Sequence, residues 1–166
     1  DMLKGLELSQ DDHLRLNQYA REKGIDYLAT AFDVENLNFL SSQDSRLIKI
    51  PSGEITNPVY LKAVGAANKK VLLSTGMATL LEIEAALNLL CSSGCCRQNI
   101  TLLHCTTEYP APFKEVNLNA IKTLKSVFGL QVGYSDHTEG IEVAIAAVAL
   151  GATVVEKHFT LDKDMD

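Results

Sequence analysis

At 166 residues the chain has single-domain length, and with 46% apolar and 22% charged residues it can bury a sizeable core and does not read as disordered. Its 15 basic residues against 21 acidic ones give a net charge of −6 with no basic tract, which argues against nucleic acid or an anionic membrane as partner. No apolar run approaches the roughly 18 residues of a spanning helix, and Asp1-Met2-Leu3-Lys4 lacks the layout of a secretory signal, so a cytoplasmic protein is expected.

In chain order, Ser9-Gln10-Asp11-Asp12 caps a helix predicted to run to Gly24. Tyr27 to Ala31 is the first strand candidate, and Asp33-Val34-Glu35-Asn36 opens the second helix. Leu47 to Ile50 reads as a strand, followed by a helix with Asn57 as cap and Pro58 in its first turn. Val71 to Ser74 is the next strand, and Thr79-Leu80-Leu81-Glu82 is a capping box for the fourth helix. Thr101 to Cys105, a helix over Asn117 to Phe128, and the strand Gln131 to Ser135 come next. The sixth helix spans Gly140 to Leu150 and stops at Gly151, whose missing Cβ suits a left-handed end. Thr153 to Phe159 is the last strand candidate.

Six strands alternating with helices imply right-handed βαβ units and a parallel sheet. An open doubly wound sheet would show a glycine-rich phosphate loop after its first strand, and Thr30-Ala31-Phe32-Asp33 is nothing like one. The alternative closure is a parallel (β/α)8 TIM barrel of which about six βα units are present, with residues 1–166 as part of one domain. A barrel demands polar chemistry at strand C-terminal ends. Thr30, Ser52, Ser74, Thr106-Thr107-Glu108-Tyr109, Ser135-Asp136-His137 and His158 all lie at such ends.

Side chains alternate along a strand, so Ser135 and His137 share one face, as do Glu156 and His158. Two imidazoles at the mouths of consecutive strands can converge on a divalent cation, with Glu156 and Asp136 available to support the rings. Lys49 sits in an otherwise apolar strand, where an ammonium is costly unless it faces an anion. Lys49 and Ser52 differ in parity, so both face one ligand only if Pro51-Ser52-Gly53 breaks the strand register. His104 reads as a packed histidine and His13 as a surface one. Cys91, Cys95, Cys96 and Cys105 lack zinc-finger spacing and read as free thiols.

Lys49-Ile-Pro-Ser-Gly-Glu54, Leu73-Ser-Thr-Gly-Met77, Leu103-His-Cys-Thr-Thr-Glu-Tyr-Pro110, Gly133-Tyr-Ser-Asp-His-Thr138 and Glu156-Lys-His-Phe-Thr160, in this order, closely resemble the sialic acid synthase family. The resemblance covers nearly the whole chain. It implies a (β/α)8 barrel that condenses phosphoenolpyruvate with an N-acetylated amino sugar, such as N-acetylmannosamine, and releases phosphate. Carried over by position, it makes His137 and His158 ligands of Mn2+ or Mg2+, and Lys49, Ser52, Ser74 and Ser135 the phosphoenolpyruvate site with Thr30 nearby. It puts Glu54 and Tyr109 on the sugar side, with Glu54 and Lys49 as the catalytic candidates. Thr107 stands where some members have Asn, a shorter reach toward substrate.

The family's first two strands and its C-terminal antifreeze-like domain, which in relatives reaches across a homodimer, are expected to lie outside residues 1–166. The segment by itself is therefore expected to be inactive. Two rival readings keep different parts of this pattern: another metal-dependent, phosphoenolpyruvate-using sugar-acid synthase or an aldolase, in which Lys49 could form a Schiff base, and a non-catalytic sugar- or phosphate-binding chain.

Overall fold

The computed structural model describes residues 7–43 and 45–164. Local signals place most of the helices. Helix α1 (Gln10–Glu22) starts at Ser9, whose hydroxyl caps the amide of Asp12 while the Asp12 carboxylate returns to the Ser9 amide. Asp33 caps α2 (Val34–Ser42) through the Asn36 amide at 2.7 Å. Strand β1 (Leu47–Ile50) leads to a 3-10 turn at Ser52–Glu54 and then to α3 (Pro58–Ala67), capped by Asn57. After β2 (Lys70–Ser74), Thr79 and Glu82 form the capping box of α4 (Leu80–Ser92). The remaining elements are β3 (Ile100–Cys105), α5 (Asn119–Phe128), β4 (Gln131–Asp136), α6 (Glu142–Ala149) and β5 (Val155–Lys157). Gly151 follows α6 with φ +100°, the left-handed end its sequence position predicts.

The strands pair in parallel in the order β1-β2-β3-β4-β5. One face of this sheet presents Ile48, Ile50, Val71, Leu73, Leu102 and Val132 to the helices and forms the apolar core with Tyr60, Leu87 and Ile121. Residues of the opposite parity, Lys49, Ser74, Leu103, Cys105, Ser135 and Glu156, line the other face. The Lys49 ammonium on β1 lies 2.7 Å from the Glu156 carboxylate on β5. In a flat sheet these strands would stand four spacings apart, roughly 19 Å. The sheet is therefore curled into part of a barrel with the polar parity inside.

Close packing of the inner wall explains Gly133. A Cβ there would meet Leu103 Cδ2 and the Val154 carbonyl at 2.6 Å, and the carbonyl is main chain immediately ahead of β5. Gly133→Ala in the full-length protein is expected to cost about 1–3 kcal/mol, the range for overpacking a tight interior. Urea unfolding checks it through a lowered midpoint.

Two sequence expectations need correction. Tyr27 to Ala31 is not a strand: a cavity of about 360 Å³ lies between this segment and β1, lined by Tyr27, Leu28, Ala29 and Ala31 on one side and Leu47 and Ile48 on the other. Ala31 is held instead by the Tyr60 hydroxyl, which donates to its carbonyl at 2.7 Å. With Thr30 as its one β-branched residue the run has modest strand preference, and it pairs with none of the five strands. The described residues thus contain five strands, not six. The final strand is also shorter than predicted, so His158 lies just past β5, although Thr153 still donates to Val132 and Tyr134 to Val154 ahead of it.

Candidate active site

At the C-terminal ends of the strands, Glu156 is the hub. Both of its oxygens accept from the Lys49 ammonium at 2.7 Å, and Oε1 also accepts from the Ser135 hydroxyl at 2.6 Å. Lys49 is 7% exposed, so its ammonium has lost most of its hydration and the carboxylate replaces it. Burial acts to raise the Glu156 carboxyl, yet the bonds from Lys49 and Ser135 and the Lys49 charge outweigh it and hold the group below the ordinary carboxylate value. The expectation that Lys49 faces an anion is met within the chain itself.

The two imidazoles do converge. The rings of His137 and His158 are 5.6 Å apart at 74°, and the Tyr109 ring lies 4.2 Å from His137 and 5.7 Å from His158. His137 Nδ1 is 2.6 Å from the Thr106 carbonyl, which can only accept, so the proton sits on Nδ1. Its Nε2 is 3.3 Å from Ser135 Oγ, whose proton is already given to Glu156. With the proton on Nδ1, the neutral ring carries its lone pair on Nε2. Ser135, Asp136, His137, Glu156, Lys157 and His158 line a cleft of about 180 Å³.

Ser52, Thr107 and Cys105 form an adjoining group around Gly76. Ser52 Oγ accepts from the Gly76 amide at 3.0 Å and lies 3.3 Å from Cys105 Sγ. A Cβ on Gly76 would meet Thr107 Cγ2 at 2.6 Å and both Cys105 Sγ and Ser52 Oγ at 2.9 Å. Cys105 pairs in register with Ser135, which joins this group to the Glu156 hub. The 3-10 turn at Ser52–Glu54 supplies the register break that the parity of Lys49 and Ser52 required. Ser74 is buried at the end of β2.

Other residues lie differently from expectation. Thr30 is exposed on the segment that does not join the sheet. Glu54 is half-buried and accepts from the Asn57 amide side chain at 2.7 Å, away from the imidazoles in its hydrogen bonding. Burial, then the charges of Glu54 and Asp33, push the Tyr60 hydroxyl up to about 12. Glu156 and Asp136 make no hydrogen bond to the imidazole rings: Glu156 is taken by Lys49 and Ser135, and Asp136 by Lys157 and Thr138. The Thr106 carbonyl orients His137 instead, a backbone role that residue type does not reveal. The inward parity Glu156 shares with His158 was the available signal for its place in the site.

His104 is a packed residue as expected, with Nε2 2.7 Å from the Val116 carbonyl and burial lowering its pKa. His13 is not a simple surface residue, since its Nδ1 lies 2.6 Å from the Tyr27 hydroxyl in a half-buried contact. The four cysteines are free. No cluster of three or more His, Cys, Asp or Glu side chains suited to a metal occurs among the described residues. None of their helices is long and apolar enough to cross a membrane.

A curled parallel sheet with helices on its outer face and its polar cluster at the strand C-terminal ends defines an α/β protein of the barrel class. Within that class the chain belongs to the NeuB family, whose sequence pattern matches residues 1–166. It is 59% identical over 164 residues to the N,N'-diacetyllegionaminic acid synthase of Campylobacter jejuni, covering 99% of this chain and 49% of that protein. With the N-acetylneuraminate-9-phosphate synthase of Homo sapiens the identity is 34% over 159 residues, covering 95% of this chain and 44% of the relative. The crystal structure of the N-acetylneuraminic acid synthetase of Leptospira borgpetersenii, in complex with citrate, superposes with a TM-score of 0.91 at 40% identity, over 96% of this chain and 55% of that one. The chain spans about half the length of the curated relatives it matches.

Proposed function

We propose that the full-length protein is a nonulosonic acid synthase. It joins C3 of phosphoenolpyruvate to the aldehyde carbon of an N-acetylated amino sugar, water adds at C2, and phosphate leaves. The observation that carries this reading is the convergence of His137 and His158 beside the Lys49, Glu156 and Ser135 network at the barrel mouth. The 59% identity to a diacetyllegionaminic acid synthase, against 34% to an N-acetylneuraminate-9-phosphate synthase, favours a diacetamido-trideoxy sugar over N-acetylmannosamine.

His137 and His158 would hold a divalent cation, Mn2+ or Mg2+. The donor chemistry fits: with Nδ1–H on the Thr106 carbonyl a neutral His137 offers Nε2 to a cation, and the His158 ring lies 5.6 Å from the His137 ring. Two protein donors leave room for substrate, and when bound the cation supplies Lewis acidity to the sugar carbonyl. Lys49 and the hydroxyls of Ser52, Ser74 and Ser135 neutralise and orient phosphate and carboxylate, which is electrostatic positioning. Tyr109, stacked on His137, walls the sugar side. The engagement of Lys49 by Glu156 weighs against an aldolase Schiff base.

The test is phosphate release by the full-length protein from phosphoenolpyruvate, comparing the two sugars, with the metal removed by chelation and restored as Mn2+ or Mg2+. Borohydride trapping of an imine on Lys49 would overturn the reading in favour of an aldolase. Within the site, Ser52→Ala is expected to raise the KM for phosphoenolpyruvate by about tenfold, the scale of one lost hydrogen bond. Glu54→Ala is expected to act mainly on the sugar. Separate saturation curves for the two substrates decide, and an effect of Glu54→Ala confined to phosphoenolpyruvate contradicts this division.

A further inference from the structure

Each imidazole of the site is preceded by one half of an ion pair whose carboxylate is buried and whose ammonium is partly exposed. Asp136 stands before His137 and Lys157 before His158, and the two are partners in the β4 to β5 register. The Asp136 side chain is 0% exposed and the Lys157 ammonium lies 2.7 Å from its Oδ2. The same ammonium donates to the Thr138 carbonyl at 2.8 Å. Asp136 Oδ1 accepts from the Thr138 amide at 2.9 Å and its hydroxyl at 2.7 Å. His137 is therefore spanned by a closed set of bonds from the residue before it to the residue after it, anchored on β5. From the other side the Ala111 amide donates to the His137 carbonyl at 2.9 Å. Consecutive side chains of a strand point to opposite faces, so a pair of this kind can fix the backbone without touching the rings.

We infer that Asp136, Lys157 and Thr138 form a positioning clamp that sets the spacing of the two imidazole-bearing backbones and holds His137 where its Nδ1 meets the Thr106 carbonyl. By keeping Nδ1 on the Thr106 carbonyl, the clamp leaves Nε2 as the His137 nitrogen that could meet a cation. This rests on the cation reading above. A largely buried pair of this kind adds little net stability over an apolar substitute, which makes a geometric role the better account of two charges at this place.

The experiment uses the full-length protein and two readouts. Long-range 15N–1H NMR on histidine-labelled, metal-free protein reports the His137 tautomer, and Mn2+ titration reports affinity. The double variant Asp136→Asn with Lys157→Met removes both charges and leaves no orphan ion. It is expected to stay folded, to lose the single Nδ1–H tautomer, and to bind Mn2+ roughly 10–100-fold more weakly, as for other groups that orient metal ligands. Lys157→Arg is expected to keep more of the affinity than Lys157→Met, because the charge survives. Thr138→Val, which deletes one bond of the clamp, decides the matter if the double variant does not fold, and is expected to shift both readouts in the same direction.

A folded double variant, or Thr138→Val, with the wild-type tautomer and affinity would overturn the clamp. A wild-type protein that shows the Nδ1–H tautomer but takes up no Mn2+ would overturn the cation reading and, with it, the stated purpose of the clamp. The tautomers of the variants would still show whether the clamp sets the ring.

Discussion

Replacing His137 or His158 by alanine in the full-length protein is expected to lower turnover by at least about 100-fold, with Mn2+ affinity falling in parallel. Groups that merely orient metal ligands are typically worth roughly 10–100-fold in affinity or activity, so a ligand should exceed that. The described residues offer no third donor to compensate, because Glu156 is engaged by Lys49 and Ser135 and Asp136 by Lys157. His158 gives the cleaner variant: it is exposed, and its ring contacts among the described residues are edge-on ones with Tyr109 and His137. Its removal should leave the unfolding midpoint in place. Mn2+ titration followed by electron paramagnetic resonance, with phosphate release measured on the same samples, checks both halves. Wild-type affinity in either variant would remove that residue from the proposed metal site.

The elements that the sequence predicts well are those whose signals are local. Ser9, Asp33, Asn57 and Thr79 cap helices through amides three residues away, so spacing alone reveals them. The imidazole pair was legible for a related reason: parallel strands end at the same height in a barrel, and His137 and His158 hold the same offset from theirs. Tyr27 to Ala31 was misread because joining a sheet is decided by a neighbour, and across a cavity β1 offers none. The partners of Glu156 and Asp136 were misassigned because partner choice depends on register and curl. Lys49 and Glu156 are 107 residues apart, and only the closing of the sheet brings them together. Gly76 carries a further lesson: its close approach to Thr107, Cys105 and Ser52 is invisible until three loops are stacked.

The Lys49 to Glu156 contact yields the second large effect. Lys49→Met is expected to abolish detectable saturation by phosphoenolpyruvate and also to destabilise the protein. The methionine fills the space, but Glu156 is left as an unpaired carboxylate against a wall that includes Leu103 and Cys105. Breaking a fully buried pair costs about 3–5 kcal/mol. Here the Glu156 side chain is 39% exposed and recovers part of its hydration, so a loss of roughly 1–3 kcal/mol is expected. Adding Glu156→Gln removes the orphan charge and leaves an amide that can still accept from Ser135. The double variant should therefore regain most of the unfolding midpoint. It should not regain activity, since no cation remains at this position to meet an anionic substrate. Stability and phosphoenolpyruvate saturation thus separate in one pair of proteins. Recovery of both in the double variant would show that Lys49 serves only to neutralise Glu156, and that the phosphate is held elsewhere.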